Sequence, residues 1–206
     1  MSSEVSQCNL GIAALGEKAF IQSLDENSVA AKYCKLFYDP ARRSALRAHG
    51  WNFAKGRVDL ALLGDGPSPW AYQYALPSNC LRARYINPAY PGEKVPFEIA
   101  LDSSGSVKVI NTDRETATLI YTVDVTNPNI FDPLFVDVMA ASLAWRLAPV
   151  LAPNKLADME RRFIASVRAA QAADAGEGYE EHERAPDWLE ARLGGSDLAT
   201  ILASDV

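Results

Sequence analysis

The sequence predicts an α+β protein: a helical bundle with an inserted antiparallel β-sheet subdomain and an extended C-terminal tail. Three observations carry this. Apolar stripes at helical spacing occupy the first fifty residues and return after residue 131. Short β-rich runs separated by turn residues fill the middle. The last thirty residues are acidic and poor in core side chains. The boundaries that follow are 1–50 with 131–175 for the bundle, 51–130 for the β subdomain and 176–206 for the tail.

The first segment, Glu4 to Leu15, is weakly helical, and Gly11 and Gly16 weaken or end it. Ser23 to Asn27 is a polar lead-in suited to capping a helix. Val29, Tyr33, Phe37, Ala41, Ala45 and Ala48 then form a stripe that runs to Gly50. Pro40 lies inside that stripe, so the pattern predicts a kink or two consecutive helices meeting near Asp39. Trp51 and Phe53 stand where helix gives way to strand, and large rings there are expected to seal the junction.

The middle of the chain alternates. Leu81 to Ile86, Phe97 to Leu101, Val107 to Val109 and Thr118 to Val125 read as strands, so a sheet of about four antiparallel strands is expected. Gly64–Pro69 and Asn87–Pro96 are loops by composition, expected at the tips of the sheet. Asp132-Pro133 is a helix start: the carboxylate accepts from orphan backbone donors and proline fits the first helical position. Leu134, Phe135, Val138, Met139, Leu143 and Trp145 make that helix apolar on much of its surface and therefore central. Pro149 and Pro153 bracket its end, and Asn154 caps the next helix, striped by Leu156, Met159, Phe163, Val167 and Ala170. Tyr33, Phe37, Ala41 and Ala45 are expected to pack on Val138, Met139, Phe163 and Val167.

With 206 residues, 49% of them hydrophobic and 22% charged, the chain suits one large domain that needs neither disulfides nor metal. A net charge of -6 argues against a general duplex-DNA binder. No run of about 18 apolar residues argues for a membrane span, and the N-terminal residues lack a secretory pattern. Cys8, Cys34 and Cys80 are odd in number and read as free thiols. His49 reads as a helix-end residue and His182 as part of an acidic turn. No metal, cofactor or catalytic motif is found, so no enzyme activity is expected.

Charge is segregated. From Ser28 to Leu60 seven basic residues stand against two acidic ones; from Asp174 to Val206 nine acidic residues stand against two basic ones. Arg42, Arg43 and Arg47 are read as an inter-subunit charge face. Trp188, Leu189, Leu193, Leu198, Ile201 and Leu202 are read as anchors by which the tail docks on a partner.

One ordered set of residues is more distinctive. It comprises Ala14-Leu15-Gly16, Ser23-Leu24-Asp25-Glu26, Tyr38-Asp39 with Arg42, Leu46 and Arg47, then Trp51-Asn52-Phe53-Ala54, Tyr74, Leu76-Pro77 and Cys80-Leu81-Arg82. In order and spacing it resembles the tail tubular protein A family, the head-to-tail adaptor or connector proteins of short-tailed bacteriophages. The region from Phe131 to Ala170 resembles the returning helices of that family, while Pro40 departs from its uninterrupted helix. The resemblance implies a structural virion protein of the tail, assembled in the host cytoplasm. It would form a homo-oligomeric ring of twelve copies between the portal protein and the tail nozzle protein. DNA would be only passing cargo, and an acidic lumen would let it slide. No membrane is involved. The alternative is a soluble enzyme or small-ligand-binding protein with its site between bundle and sheet. A third reading is a monomeric nucleic-acid-binding module using Arg42, Arg43 and Arg47.

Overall fold

A computed structural model describes residues 3–18, 20–88 and 93–177. The order is two helices, seven strands and two helices: an α+β fold. Helix α1 spans Glu4–Ala14 and α2 spans Val29–Ala48; the strands are β1 (Lys55–Asp59), β2 (Leu62–Asp65), β3 (Tyr72–Ala75), β4 (Cys80–Ile86), β5 (Phe97–Leu101), β6 (Lys108–Thr112) and β7 (Thr118–Val123); α3 spans Pro133–Leu151 and α4 Leu156–Glu177.

Helix α1 starts at a capping box: the Ser3 hydroxyl accepts from the Ser6 backbone N–H, and the Ser6 hydroxyl accepts from that of Ser3. Gly11 does not end it. A Cβ there would lie 2.9 Å from Leu143 Cβ and 3.3 Å from the Ala140 carbonyl, so its absence lets α1 press directly onto α3. The helix ends instead at Gly16, whose φ of +76° suits glycine.

Helix α2 is capped by Ser28, whose hydroxyl accepts from the Ala31 N–H at 3.1 Å. It runs through Pro40 as one helix, so of the two expected outcomes, a kink or two helices meeting near Asp39, the division into two does not occur. Pro40 and Leu36 are both exposed, so the carbonyl deprived of its partner faces water. The buried face is also rotated from the expected stripe. Ala31, Cys34, Tyr38, Ala41, Arg42, Ala45 and Leu46 are buried, while Val29 and Ala48 are exposed.

The expected single sheet of about four strands is in fact two sheets. One has the order β1-β7-β4 and the other β2-β3-β6-β5, and all pairings are antiparallel. The run Lys55–Asp59, charged and with a glycine, forms a strand because β7 lies beside it. Gly56 accommodates the Tyr121 ring and Val123, which a Cβ would meet at under 3 Å. Gly64 and Asp65, expected in a loop, belong to β2, where the register shifts. The turn itself is Gly66 to Trp70. The Asn87–Pro96 connection crosses from one sheet to the other; residues 89–92 lie outside the described part.

Tyr74 and Ile110 of the second sheet share one apolar cluster with Ile86, Leu119 and Tyr121 of the first, so the sheets face each other. A second cluster joins all four helices. Helix α3 is its centre, packing against α1, α2 and α4. Asp132 caps it as expected, accepting from Leu134 N–H at 2.8 Å. By length and mean hydropathy (1.6) α3 also qualifies as a membrane span, but half of that stretch is buried inside the fold. Helix α4 contributes Met159, Phe163, Val167 and Ala170 to this cluster. Phe163 is half-buried and stacks on Trp145, with centroids 5.7 Å apart. Asn154 sits inside a short 3-10 turn, Pro153–Lys155, between the two helices.

Candidate functional site

The junction of helices and sheets is built from aromatic rings and two arginines. Trp51 is buried and donates its indole N–H to the Ala45 carbonyl at 2.9 Å, which closes the end of α2. Its ring meets Phe135 edge-on at 5.2 Å, and Phe53 lies between Phe135 and Phe131 at 5.0 and 6.0 Å. These rings stand where the chain enters the strands and where it leaves them. Trp51 and Phe53 are structural, as the sequence suggested.

Arg42 is not on an external face. Its side chain is 4% exposed, and it is ion-paired with Asp124 and donates to the Val125 carbonyl at 2.8 Å; Asp39 lies 3.2 Å from its other terminal nitrogen. Burying a guanidinium requires such a complete set of acceptors, and this set ties α2 to the strand that returns the chain to α3. Arg43 is exposed and completes the group at 3.3 Å from Asp124. Arg47 is exposed and donates to the Leu81 carbonyl. Arg42 and Arg43 thus meet at Asp124, the first buried and the second exposed, while Arg47 reaches Leu81, so Arg42 is not part of an external charge face.

The end of α4 is tied to the end of α2. Asp174 Oδ2 lies 3.0 Å from His49 Nε2, Oδ1 accepts from the Asn52 N–H at 2.9 Å, and its carbonyl accepts from the Asn52 side chain at 2.8 Å. Sequence reasoning placed His49 correctly at a helix end but gave no sign of Asp174, 125 residues away.

The cysteines are free. Cys8 and Cys34 are fully buried against one another between α1 and α2. The hydrogen bond to Cys34, followed by burial, pushes the Cys8 thiol well up, so it stays protonated. Burial also raises Cys80 and Tyr38, whose hydroxyl donates to Gln7 at 3.0 Å. Among the described residues no group of three His, Cys, Asp or Glu side chains converges as a metal site would need.

Several clefts open among the described residues. One, about 310 Å³, lies between α1, α3 and α4 and is lined in part by Asp137 and Arg162. Another, about 250 Å³, is lined by Glu93, Lys94, Thr112, Asp113 and Arg114. A third, about 210 Å³, lies between β4 and β5 and is lined by Arg47, Arg82 and Lys108 with Leu76, Ala83 and Ile99. Among the described residues no carboxylate pairs with those three cations.

Exposed apolar side chains mark both edges of the four-stranded sheet. Leu62 and Leu63 lie on β2, and Ile99 and Leu101 lie on β5. Trp188, Leu189, Leu193, Leu198, Ile201 and Leu202, together with His182, lie outside the described residues. No family model matches the chain, and no curated protein matches it significantly.

Proposed function

We propose that this chain is a structural virion protein, a head-to-tail adaptor that forms a ring between the portal and the tail nozzle and lines the channel through which DNA leaves. In this reading the helices form a bundle and the seven strands an inserted subdomain. The C-terminal segment extends as a tail that docks on the portal through Trp188, Leu189, Leu193, Leu198, Ile201 and Leu202. The ordered resemblance from Ala14 to Arg82 suggests the family.

The structural observation that carries the reading is the pair of unlike apolar edges on one sheet. A ring of identical subunits needs two different surfaces per copy that fit each other head to tail. The β2 edge, with Leu62 and Leu63, and the β5 edge, with Ile99 and Leu101, are such a pair. Exposed apolar strand edges are also a liability that a lone subunit ordinarily covers.

The test is assembly with the portal present. Leu63→Glu and Leu101→Glu should each block ring formation and leave the free subunit folded, because neither side chain is buried in it. Truncation after Ala175 should leave a folded subunit that fails to attach to the portal. Wild-type chain that stays monomeric beside the portal would refute the reading.

A further inference from the structure

We infer that the cleft between β4 and β5 binds a phosphate group, held by the side chains of Arg47, Arg82 and Lys108. The inference does not rest on the adaptor reading, and none of these three side chains is given to the ring or to the portal there.

The first argument is charge. The chain as a whole carries a net charge of -6, yet this cleft is lined by three cations and no carboxylate. Arg47, Arg82 and Lys108 are all exposed, and among the described residues none of them has an acidic side chain within ion-pair distance. Like charges gathered around one small space repel each other, and an anion placed among them relieves that repulsion. A single carboxylate would leave two of the three uncompensated. A phosphate brings close to two negative charges and several acceptor oxygens to one point.

The second argument is position. The three cations come from α2, β4 and β6, so the fold itself brings them together. Arg47 donates to the Leu81 carbonyl, and Arg82 reaches the Arg47 carbonyl at 3.5 Å. Such bonds orient a guanidinium without neutralising it. Each takes one of the five N–H donors that the group carries, so donors remain for a ligand. Arginine forks match pairs of phosphate oxygens, and the Lys108 ammonium adds a compact charge.

The third argument is the floor. Leu76, Leu81 and Ala83 line the cleft with apolar surface, which strengthens charge interactions above it. Half-buried Cys80 stands among them. Burial raises its thiol, while the Arg82 backbone N–H, Lys108 and Arg47 draw it back down, so the field of the cations reaches this floor. A cleft of about 210 Å³ is smaller than the roughly 300–1,000 Å³ of drug-sized ligand sites, and it suits one small anionic group.

Titration calorimetry of the full-length chain tests this, with potassium chloride holding ionic strength constant. The probes are inorganic phosphate, a single-stranded oligonucleotide and a glutamate-rich peptide. Phosphate should bind saturably, and Arg82→Gln and Lys108→Gln should each weaken it about fivefold, the upper end for an exposed charge pair. Lys55→Gln, on exposed β1 surface away from the cleft, should leave it unchanged. Unchanged melting temperatures without phosphate confirm that the variants fold. An oligonucleotide that binds at least tenfold tighter than phosphate, with the same two substitutions weakening it, identifies the phosphate as part of a nucleic-acid strand. Equal affinities identify it as free phosphate. Absence of saturable phosphate binding, equal weakening by Lys55→Gln, or binding of the peptide alone would each overturn the inference. Ring assembly is read separately by mass, so either reading can fail without the other.

Discussion

The helical cluster and the four-stranded sheet differ in how completely they are closed. Around α3, apolar faces are covered by α1, α2 and α4, and Phe135, Val138, Met139, Leu143 and Leu147 have essentially no exposed surface. In the sheet the inner strands β3 and β6 bury Tyr74 and Ile110. The edge strands leave Leu62, Leu63 and Leu101 more than half exposed. Leucine stands in both places, buried as Leu143 and Leu147 and exposed as Leu62, Leu63 and Leu101, so the difference lies in topology. A central helix can be surrounded by one chain, whereas an open sheet always keeps two edges. The interior around α3 is closed, although Leu10, Leu36 and Ile164 stay exposed on outer helix faces, and at the sheet edges unpaired strand backbone and exposed apolar side chains stand together.

That contrast is broken most directly by removing a ring from the finished interior. Trp51→Ala should cost about 3–5 kcal/mol, the range for buried aromatic truncation, because the indole packs on Phe135 and Phe53 and caps Ala45. Thermal unfolding measures it. Next comes Arg42→Ala, which leaves Asp124 without its buried partner. Breaking a buried pair costs about 3–5 kcal/mol, and this case belongs at the lower end because Asp124 keeps Arg43 and is 20% exposed.

Phe163→Ala should cost less, about 2 kcal/mol, because only part of the ring leaves water and the cost scales with area buried. Its main loss is the stack on Trp145. Leu63→Ser and Leu101→Ser should change the melting of the free subunit by no more than about 0.5 kcal/mol, as surface substitutions do. If either matches Trp51→Ala, the edges are interior after all and the contrast fails.

The smallest expected effect concerns pH. The Gln22 backbone N–H, the Ser28 hydroxyl and the Ser23 N–H hold the Glu26 carboxyl below its ordinary value. A lowered folded value contributes stability above the unfolded value, about 4.3, and loses it as pH falls through the folded one. Glu26→Gln should therefore flatten the acid limb of the stability curve, its small loss of stability being present near neutrality and disappearing as pH falls through the folded value.

Much of the fold was legible because its signals are local. Asp132-Pro133 announces α3 through a bond two residues long, and the alternation in Leu81–Ile86 and Phe97–Leu101 marks two strands. What was not legible depends on partners far along the chain. The rotation of α2 that buries Arg42 is fixed by Asp124, 82 residues away. Local apolar spacing pointed to Val29 and Ala48, which are exposed. β1 has no strand character of its own and exists because Tyr121 packs over Gly56. Gly11 looks like a helix breaker until Leu143 is seen against it. Of the surface residues singled out, Arg42 proved interior. The convergence of Arg82 and Lys108 with Arg47 was not legible because it arises only when β4 and β6 are brought beside the end of α2.

The central claim is that this subunit assembles head to tail through unlike edges. Native mass measurement of the full-length chain, alone and with the portal protein, tests it most directly. The account predicts a discrete closed species at twelve times the subunit mass of 22.4 kDa, lost in both Leu63→Glu and Leu101→Glu. A monomer under both conditions, or a symmetric dimer that survives either substitution, would contradict it.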